Sequence, residues 1–360
     1  MSMYDDTKHR PHSKHTGQAP MCAIDIGPDG LYVSLDAWGP STNVYAHLYN
    51  QLQSNWGEDP SMIEKDSQLT EGQMAYVEKC IAGKTLPNVL ESVSTMWTIS
   101  GCSRAFTHQF VRTRVGASFM QHGGRDNDWR HRRWRMPETI WRACTEKEGK
   151  LEEGLKSCVQ DCKPINDFLV DKYPELPLDE ISLFAAIQDY LMDGKELYSA
   201  LVDAGIPWQD ARRLLHMGTE TYIHANYNFL ALKGVIANRM EFIMDWEINA
   251  VSQLMVREVR MKMPKLFGQY LGSHSDAQGR AAFAGLDSWP PDQKFPALWK
   301  QSERTHRPEQ MPFFVLTERA INGGEVEWIR TNGTYPNRER GEVVEQGEDG
   351  FPKNAGMESL

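Results

Sequence analysis

The sequence predicts an α/β chain of the α+β type, and three observations predict it. Strand-like stretches begin near Gly30 and near Leu90, the middle from Pro137 to Asp203 reads as mostly helix, and a hairpin pattern lies at Phe313 to Arg330. The chain has 360 residues, 40% hydrophobic and 24% charged, the composition of a folded protein with a sizeable core. A formal charge of -10 argues against a general binder of nucleic acid or anionic membrane, so any anion site has to be local. Six cysteines are too sparse for a disulfide scaffold. No apolar stretch approaches a membrane span, and "MSMYDDTKHRPHSKHTG" lacks the apolar core of a signal peptide. A reduced, cytoplasmic protein without a membrane partner is expected.

Residues 1–20 read as a solvated arm, in which His9, His12 and His15 are not expected to bind metal. "GLYVSLDAWG" is expected as a strand, since Leu31, Val33, Leu35 and Trp38 nearly alternate before a Gly-Pro stop. Tyr45 to Asn55 reads as helix. "LESVSTMWTIS" carries strand formers, Gly101 is expected to break it, and "SRAFTHQFVRT" starts a helix with Ser103 as N-cap. Turns are expected at Lys163-Pro164 and Tyr173-Pro174, and Cys158 and Cys162 are read as packing on a helix rather than binding metal. "DAGIPWQDARRLL" supplies a Gly break and a proline for the first turn of the next helix. From His224 to Met263 apolar residues recur mostly three and four apart, which predicts one buried helix, or two broken at Gly234. The expected organisation is an arm over 1–20, a main domain over 21–285, and an extension over 286–360 whose last residues are disordered.

The stretch "VRTRVGASFMQHGGR" packs positive charge into an acidic chain. Gln109 and Arg112 lie three apart at a helix end and are expected to share a face. Gly123 and Gly124 allow close backbone approach to an anion, and Arg125 adds a fork suited to phosphate. The competing reading is an arginine-rich surface turn paired with acids. Asn228 and Arg239 stand eleven residues apart on the expected long helix, on one side and about 16 Å apart along it. Arg239 interrupts an apolar stripe and needs an acid, for which Glu247 is a candidate, or a ligand. Arg212 is a further phosphate clamp.

"QFVRTR" with the following "GGR", and downstream "AGIPWQDARRLL", Asn228 and "NRMEFIMDWEI", resemble the flavin-dependent (alternative) thymidylate synthases over roughly 86–271. The resemblance implies a mixed, largely antiparallel sheet with a helix-rich half, of the thymidylate synthase-complementing-protein type, in a homotetramer. It implies C5-methylation of a pyrimidine nucleotide, dUMP to dTMP, with FAD, 5,10-methylenetetrahydrofolate and NADPH. By residue, it implies that Gln109, Arg112, Gln121, Gly123, Arg125, Arg212 and Arg239 bind the nucleotide, with Arg125 and Arg212 nearest the phosphate and Arg239 and Arg112 catalytic. Lys84, Thr85, Arg112, Thr113, Arg114 and Asn228 are implied on the flavin side.

Several positions depart from the family pattern. Thr113 and Lys84 stand where it has histidines, Gly123 where it has a serine once one extra residue is allowed, and Gln121 where it has an acid. Leu230 and Gly234 stand where it has an arginine and a polar flavin contact. Gln121 both donates and accepts, so sugar recognition is open to change, and methylation or hydroxymethylation of UMP or dCMP is an alternative. A nucleotide-binding homologue without flavin is another. "RDNDWRHRRWR", with five arginines, Trp129 and Trp134, supports a third reading as a stacking strip for single-stranded RNA, against which the acidic chain weighs.

Overall fold

A computed structural model of the protein describes residues 23–39, 43–55, 57, 59, 68–82, 87–125, 127–137, 140, 163–177, 183–239, 245–262, 313–316, 318–321 and 323–331. The arm, Lys84, Thr85, Cys158, Cys162 and the C-terminal tail lie outside the described residues.

A four-stranded sheet has the strand order β2-β3-β6-β4, with β2 at Tyr32–Gly39, β3 at Ser94–Ser103, β4 at Ala117–Gln121 and β6 at Glu220–Asn228. Thr95 bonds the carbonyl of Tyr227 while Cys102 bonds that of Thr221, so β3 and β6 run antiparallel. The amide of Asn228 meets the Gly116 carbonyl and that of His122 meets the Tyr222 carbonyl, so β6 and β4 are antiparallel as well. With the parallel pair β1 (Ile24–Ile26) and β5 (Trp134–Met136), the α/β chain is mixed and largely antiparallel, as expected.

The chain divides into two compact units. The first comprises Met1–Tyr32, Ile99–Val111 and Met120–Ile223. In it, Gly101 does not end β3. Its φ of +73° lets the Gly30 carbonyl approach to where a Cβ would sit, and the strand continues to Ser103. Ser103 is the N-cap of α3 (Arg104–Phe110), accepting from the Phe106 amide at 3.0 Å. The expected turn at Lys163-Pro164 is instead the start of α4 (Lys163–Lys172), because proline is tolerated in a first helical turn, where its missing N–H has no partner to lose. Then follow α5 (Leu183–Asp203), α6 (Trp208–Ala211) and a single 3-10 turn, Arg212–Leu214. Trp129, Tyr198 and Ala211 form a buried cluster with Leu201, Val202 and Leu215 against it. That cluster carries the 3-10 turn to the loop after β4.

The second unit comprises Val33–Thr98, Arg112–Phe119 and His224–Leu360. Here α1 (Val44–Asn55) buries Val44, Ala46, Leu48 and Leu52, the apolar stripe that its sequence predicts, and is capped by Asn43. Thr70 and Gln73 cap α2 (Glu71–Ala82) reciprocally. The expected long helix is three elements: the end of β6, then α7 (Phe229–Arg239), then α8 (Trp246–Lys262). Gly234 lies inside α7 rather than at a break. From Glu247 to Val256 every residue of α8 is buried, so this is an interior helix. Gln253 in its middle donates to the Phe314 carbonyl at 2.6 Å and accepts from the Leu316 amide at 2.9 Å, seating the antiparallel pair β7 (Phe313–Leu316) and β8 (Trp328–Thr331). Between those strands lies the short α9 (Glu318–Ile321). No helix among the described residues is long and apolar enough to cross a membrane.

Candidate active site

In the first unit the site grows from α3 and the loop after β4. Phe106, Thr107 and Phe110 bury the inner face of α3, with the two rings stacked at 4.9 Å. The amides of Arg104 and Ala105 bond the carbonyls of Thr219 and Met217, fixing where the helix starts. Gln109 is half-buried in its last turn. Because α3 stops at Phe110, Arg112 lies in a turn beyond it, and the helical argument that pairs it with Gln109 on one face does not hold.

The Thr107 hydroxyl donates to the Arg104 carbonyl at 3.0 Å and accepts from the Gln121 amide nitrogen at 2.6 Å. A hydroxyl has one proton, so the Gln121 nitrogen has to be the group facing it, and Oε1 remains to receive a donor. Past Gln121 the chain forms a stack. His122 lies against Tyr222 at 4.5 Å and parallel to Trp129 at 5.6 Å, while Arg132 sits over Tyr222 and bonds the His122 ring at 3.3 Å.

Loop 123–125 follows. Asn127 holds the Gly123 carbonyl at 2.8 Å. A Cβ on Gly124 would lie 3.0 Å from Cδ of Arg212 and 3.2 Å from the Trp129 ring. The loop and the 3-10 turn therefore meet at a position that accommodates no side chain without displacement. Arg212 donates from Nε to the Gln209 carbonyl at 3.2 Å, and both Arg212 and Arg125 are exposed. Two of the arginines expected at a phosphate, far apart in sequence, are thus carried on segments that touch.

Sequence reading missed Arg104. Its guanidinium lies over the Trp129 ring at 5.6 Å, and its pKa is lowered by burial and by the charge of Arg212, against a small opposing effect of Cys102. A half-buried arginine at the first position of a helix carries no sequence signal that separates it from a surface one.

The second unit holds the other group. Asn228 does not project from a helix face. It ends β6, and its Oδ1 caps α7 by accepting from the Ala231 amide at 2.8 Å. Its own amide bonds the Gly116 carbonyl at 2.8 Å, and a Cβ at Gly116, whose φ is +69°, would collide with its side chain. This contact pins the turn that carries exposed Arg112, half-buried Thr113 and exposed Arg114. Arg239 is the last residue of α7, half-buried, with its pKa lowered by burial and by Arg112 and raised by Tyr227. The structure thereby brings Arg112 and Arg239 into electrostatic reach of each other. Tyr227 is fully buried, its hydroxyl driven far above the ordinary tyrosine range by burial, and Phe119 packs edge-on against it at 5.6 Å.

The "RDNDWRHRRWR" strip does not offer an open stacking surface. Arg130 pairs with Asp128 and Asp203, Arg133 with Asp25, Arg135 is buried on the carbonyls of Gly27 and Asp29, and Trp129 is only 4% exposed. Among the described residues no cluster of His, Cys, Asp and Glu is suited to a metal ion.

The family model described as "Thymidylate synthase complementing protein" matches residues 35–265. The chain is 28% identical over 185 residues to a flavin-dependent thymidylate synthase of Sulfurisphaera tokodaii, covering 51% of this chain and 57% of that one. It is 26% identical over 212 residues to the enzyme of the same name from Pyrococcus furiosus, covering 58% and 70%. Among solved structures it is similar to the UMP/dUMP methylase PolB from Streptomyces cacaoi bound with 5-Br dUMP. There the TM-score is 0.48 and the identity 16%, over 68% of this chain and 94% of that one.

Proposed function

The chain belongs to the thymidylate synthase complementing protein family, and on that premise we propose that it methylates C5 of a uridine-type nucleotide, dUMP to dTMP in the simplest case. We propose 5,10-methylenetetrahydrofolate as carbon donor, FAD as redox cofactor, NADPH as reductant, a homotetrameric assembly and a cytoplasmic setting. The observation that carries the reading is the meeting of the Arg212 segment with loop 123–125 in a chain of net charge -10. A local cationic corner in an acidic protein fits a small dianion better than a polyanion.

Arg125 and Arg212 hold the phosphate, whose oxygens match the guanidinium fork. Gln121 presents Oε1 to a sugar hydroxyl, because Thr107 engages its nitrogen. The amide therefore offers the sugar an acceptor, as a carboxylate would, but without the charge. Gln109 and Gly123 complete the nucleotide side. Arg239 donates to a pyrimidine carbonyl, and with Arg112 near it the pair favours negative charge on the ring oxygens as C5 becomes nucleophilic. A guanidinium carries only donors, so Arg239 can only donate to the ring oxygen.

The flavin side fits an anionic dinucleotide by its donor set. Arg112 and Arg114 are exposed on a turn that the Gly116–Asn228 contact holds, with Thr113 between them. Those residues, with Lys84 and Thr85, are proposed to hold it. Bound flavin supplies the hydride chemistry that completes one-carbon transfer. Asn228 contributes through the capped turn and through its remaining amide N–H groups.

Release of tritium from C5-labelled dUMP and UMP, assayed side by side with FAD, the folate and NADPH, tests the reading. Release that requires all three additions is expected. No release from either nucleotide rejects C5 substitution as the activity.

A further inference from the structure

Resting on the proposed nucleotide reading, we propose that the phosphate corner extends beyond Arg125 and Arg212 to the Arg104 guanidinium and the indole N–H of Trp129, which donate to the monophosphate directly. The Trp129 side chain is 4% exposed, yet Nε1 has no hydrogen-bond partner. A buried donor left unmet is costly, so such a group marks either a defect or a missing acceptor. The ring is otherwise firmly placed. Its backbone amide donates to the Tyr198 hydroxyl at 3.0 Å, it belongs to the buried cluster with Tyr198 and Ala211, and His122 lies parallel to it. A tryptophan held this well has its unmet N–H set by the fold rather than by loose packing.

What lies near that N–H decides between the two explanations. A Cβ on Gly124 would stand 3.4 Å from Nε1 and 3.0 Å from Cδ of Arg212, so indole edge, arginine stem and glycine backbone converge on one point. Arg104 adds a second guanidinium over the same ring. Among the described residues neither arginine is paired with a carboxylate, and the charge of Arg212 adds to burial in lowering the Arg104 pKa. Two cations and an unsatisfied donor, with no carboxylate paired to them among the described residues, form a site for an anion supplied from outside. A phosphate monoester, with several acceptor oxygens and nearly two negative charges, answers all three groups at once.

Substitutions separate donor from ring. Trp129→Phe keeps the packing and removes only the N–H, Arg104→Gln removes the charge, and Arg104→Lys keeps it. Titration calorimetry with dUMP is expected to show at least about tenfold weaker binding for Arg104→Gln and about three- to tenfold for Trp129→Phe, with partial recovery in Arg104→Lys. Deoxyuridine, measured by its competition with dUMP, is expected to bind each variant within about twofold of wild type, because it lacks the phosphate. Wild-type dUMP affinity in both Arg104→Gln and Trp129→Phe overturns the inference, as does an equal loss for nucleotide and nucleoside in variants with unchanged melting temperature. If those results come with normal tritium release by the wild type, the extended corner fails and the C5-methylation reading stands. Wild-type protein that neither binds dUMP nor releases tritium instead removes the function reading, and this corner with it.

Discussion

The Gln121 amide nitrogen donates to the Thr107 hydroxyl across 2.6 Å, tying the end of β4 to the middle of α3. Thr107 donates its own O–H to the Arg104 carbonyl one turn back, so a single buried hydroxyl orients the amide. Thr107→Ala releases it. The expected outcome is a raised KM for nucleotide, a changed ratio of kcat/KM between dUMP and UMP, and a stability loss of about 1 kcal/mol. An unchanged ratio would remove Gln121 from sugar recognition.

A side chain at Gly124 would crowd two neighbours. The added methyl of Gly124→Ala meets the Arg212 stem at 3.0 Å and the Trp129 ring at 3.2 Å, and the exposed arginine is the more able to move. Nucleotide affinity is expected to fall about tenfold while stability falls by about 1–3 kcal/mol, read by calorimetry and thermal melts. A melt shift with undiminished affinity would show that the Arg212 side chain does not serve the phosphate.

Asn228 caps α7 and packs on Gly116, so two substitutions report on one contact. Asn228→Ala is expected to cost about 1 kcal/mol as a lost cap. Gly116→Ala, at φ +69° and in collision with Asn228, is expected to cost more. Both are expected to weaken FAD retention by disturbing the Arg112–Arg114 turn, which the visible absorbance of the purified protein measures.

Alkaline pH is expected to destabilise the fold through buried tyrosines. Burial pushes the Tyr198 hydroxyl from its ordinary 10.0 up to about 12, Asp128 acting in the same direction and the Trp129 amide and Arg130 against it. The folded form keeps its proton after the unfolded form has lost it, so this contribution is intact below pH 10.0 and is lost as pH rises toward about 12. Tyr227 and Tyr45, raised mainly by burial, act with the same sign. Tyr198→Phe is therefore expected to flatten the fall of melting temperature above pH 10 without abolishing it. An unaltered slope would locate the titration elsewhere.

Much of the framework was legible because local physics decides it. β2 alternates, Ser103 caps α3, α1 shows an apolar stripe, and the Phe313–Arg330 pattern becomes two antiparallel strands. The His224–Met263 reading failed at its start for a specific reason. Thr221, Ile223, Ala225 and Tyr227 are buried alternately with half-buried neighbours, a strand period, but no glycine or proline separates them from the helical pattern that begins at Phe229. Trp129 looked like part of an open stacking strip because the acids that pair with its neighbours, Asp25 and Asp203, lie about a hundred and about seventy residues away. Arg104 was hidden for the same cause, since its environment is made by Arg212 and Trp129.

One nucleotide, held by its phosphate near Arg125 and Arg212, is proposed to act on a flavin held by the same protein. The visible spectrum of the FAD-loaded enzyme, recorded during titration with dUMP, tests it most directly. A saturable shift of the flavin bands with dUMP, strongly weakened in Arg212→Ala, is expected. Flavin bands that remain unmoved at saturating dUMP in the wild type would contradict it.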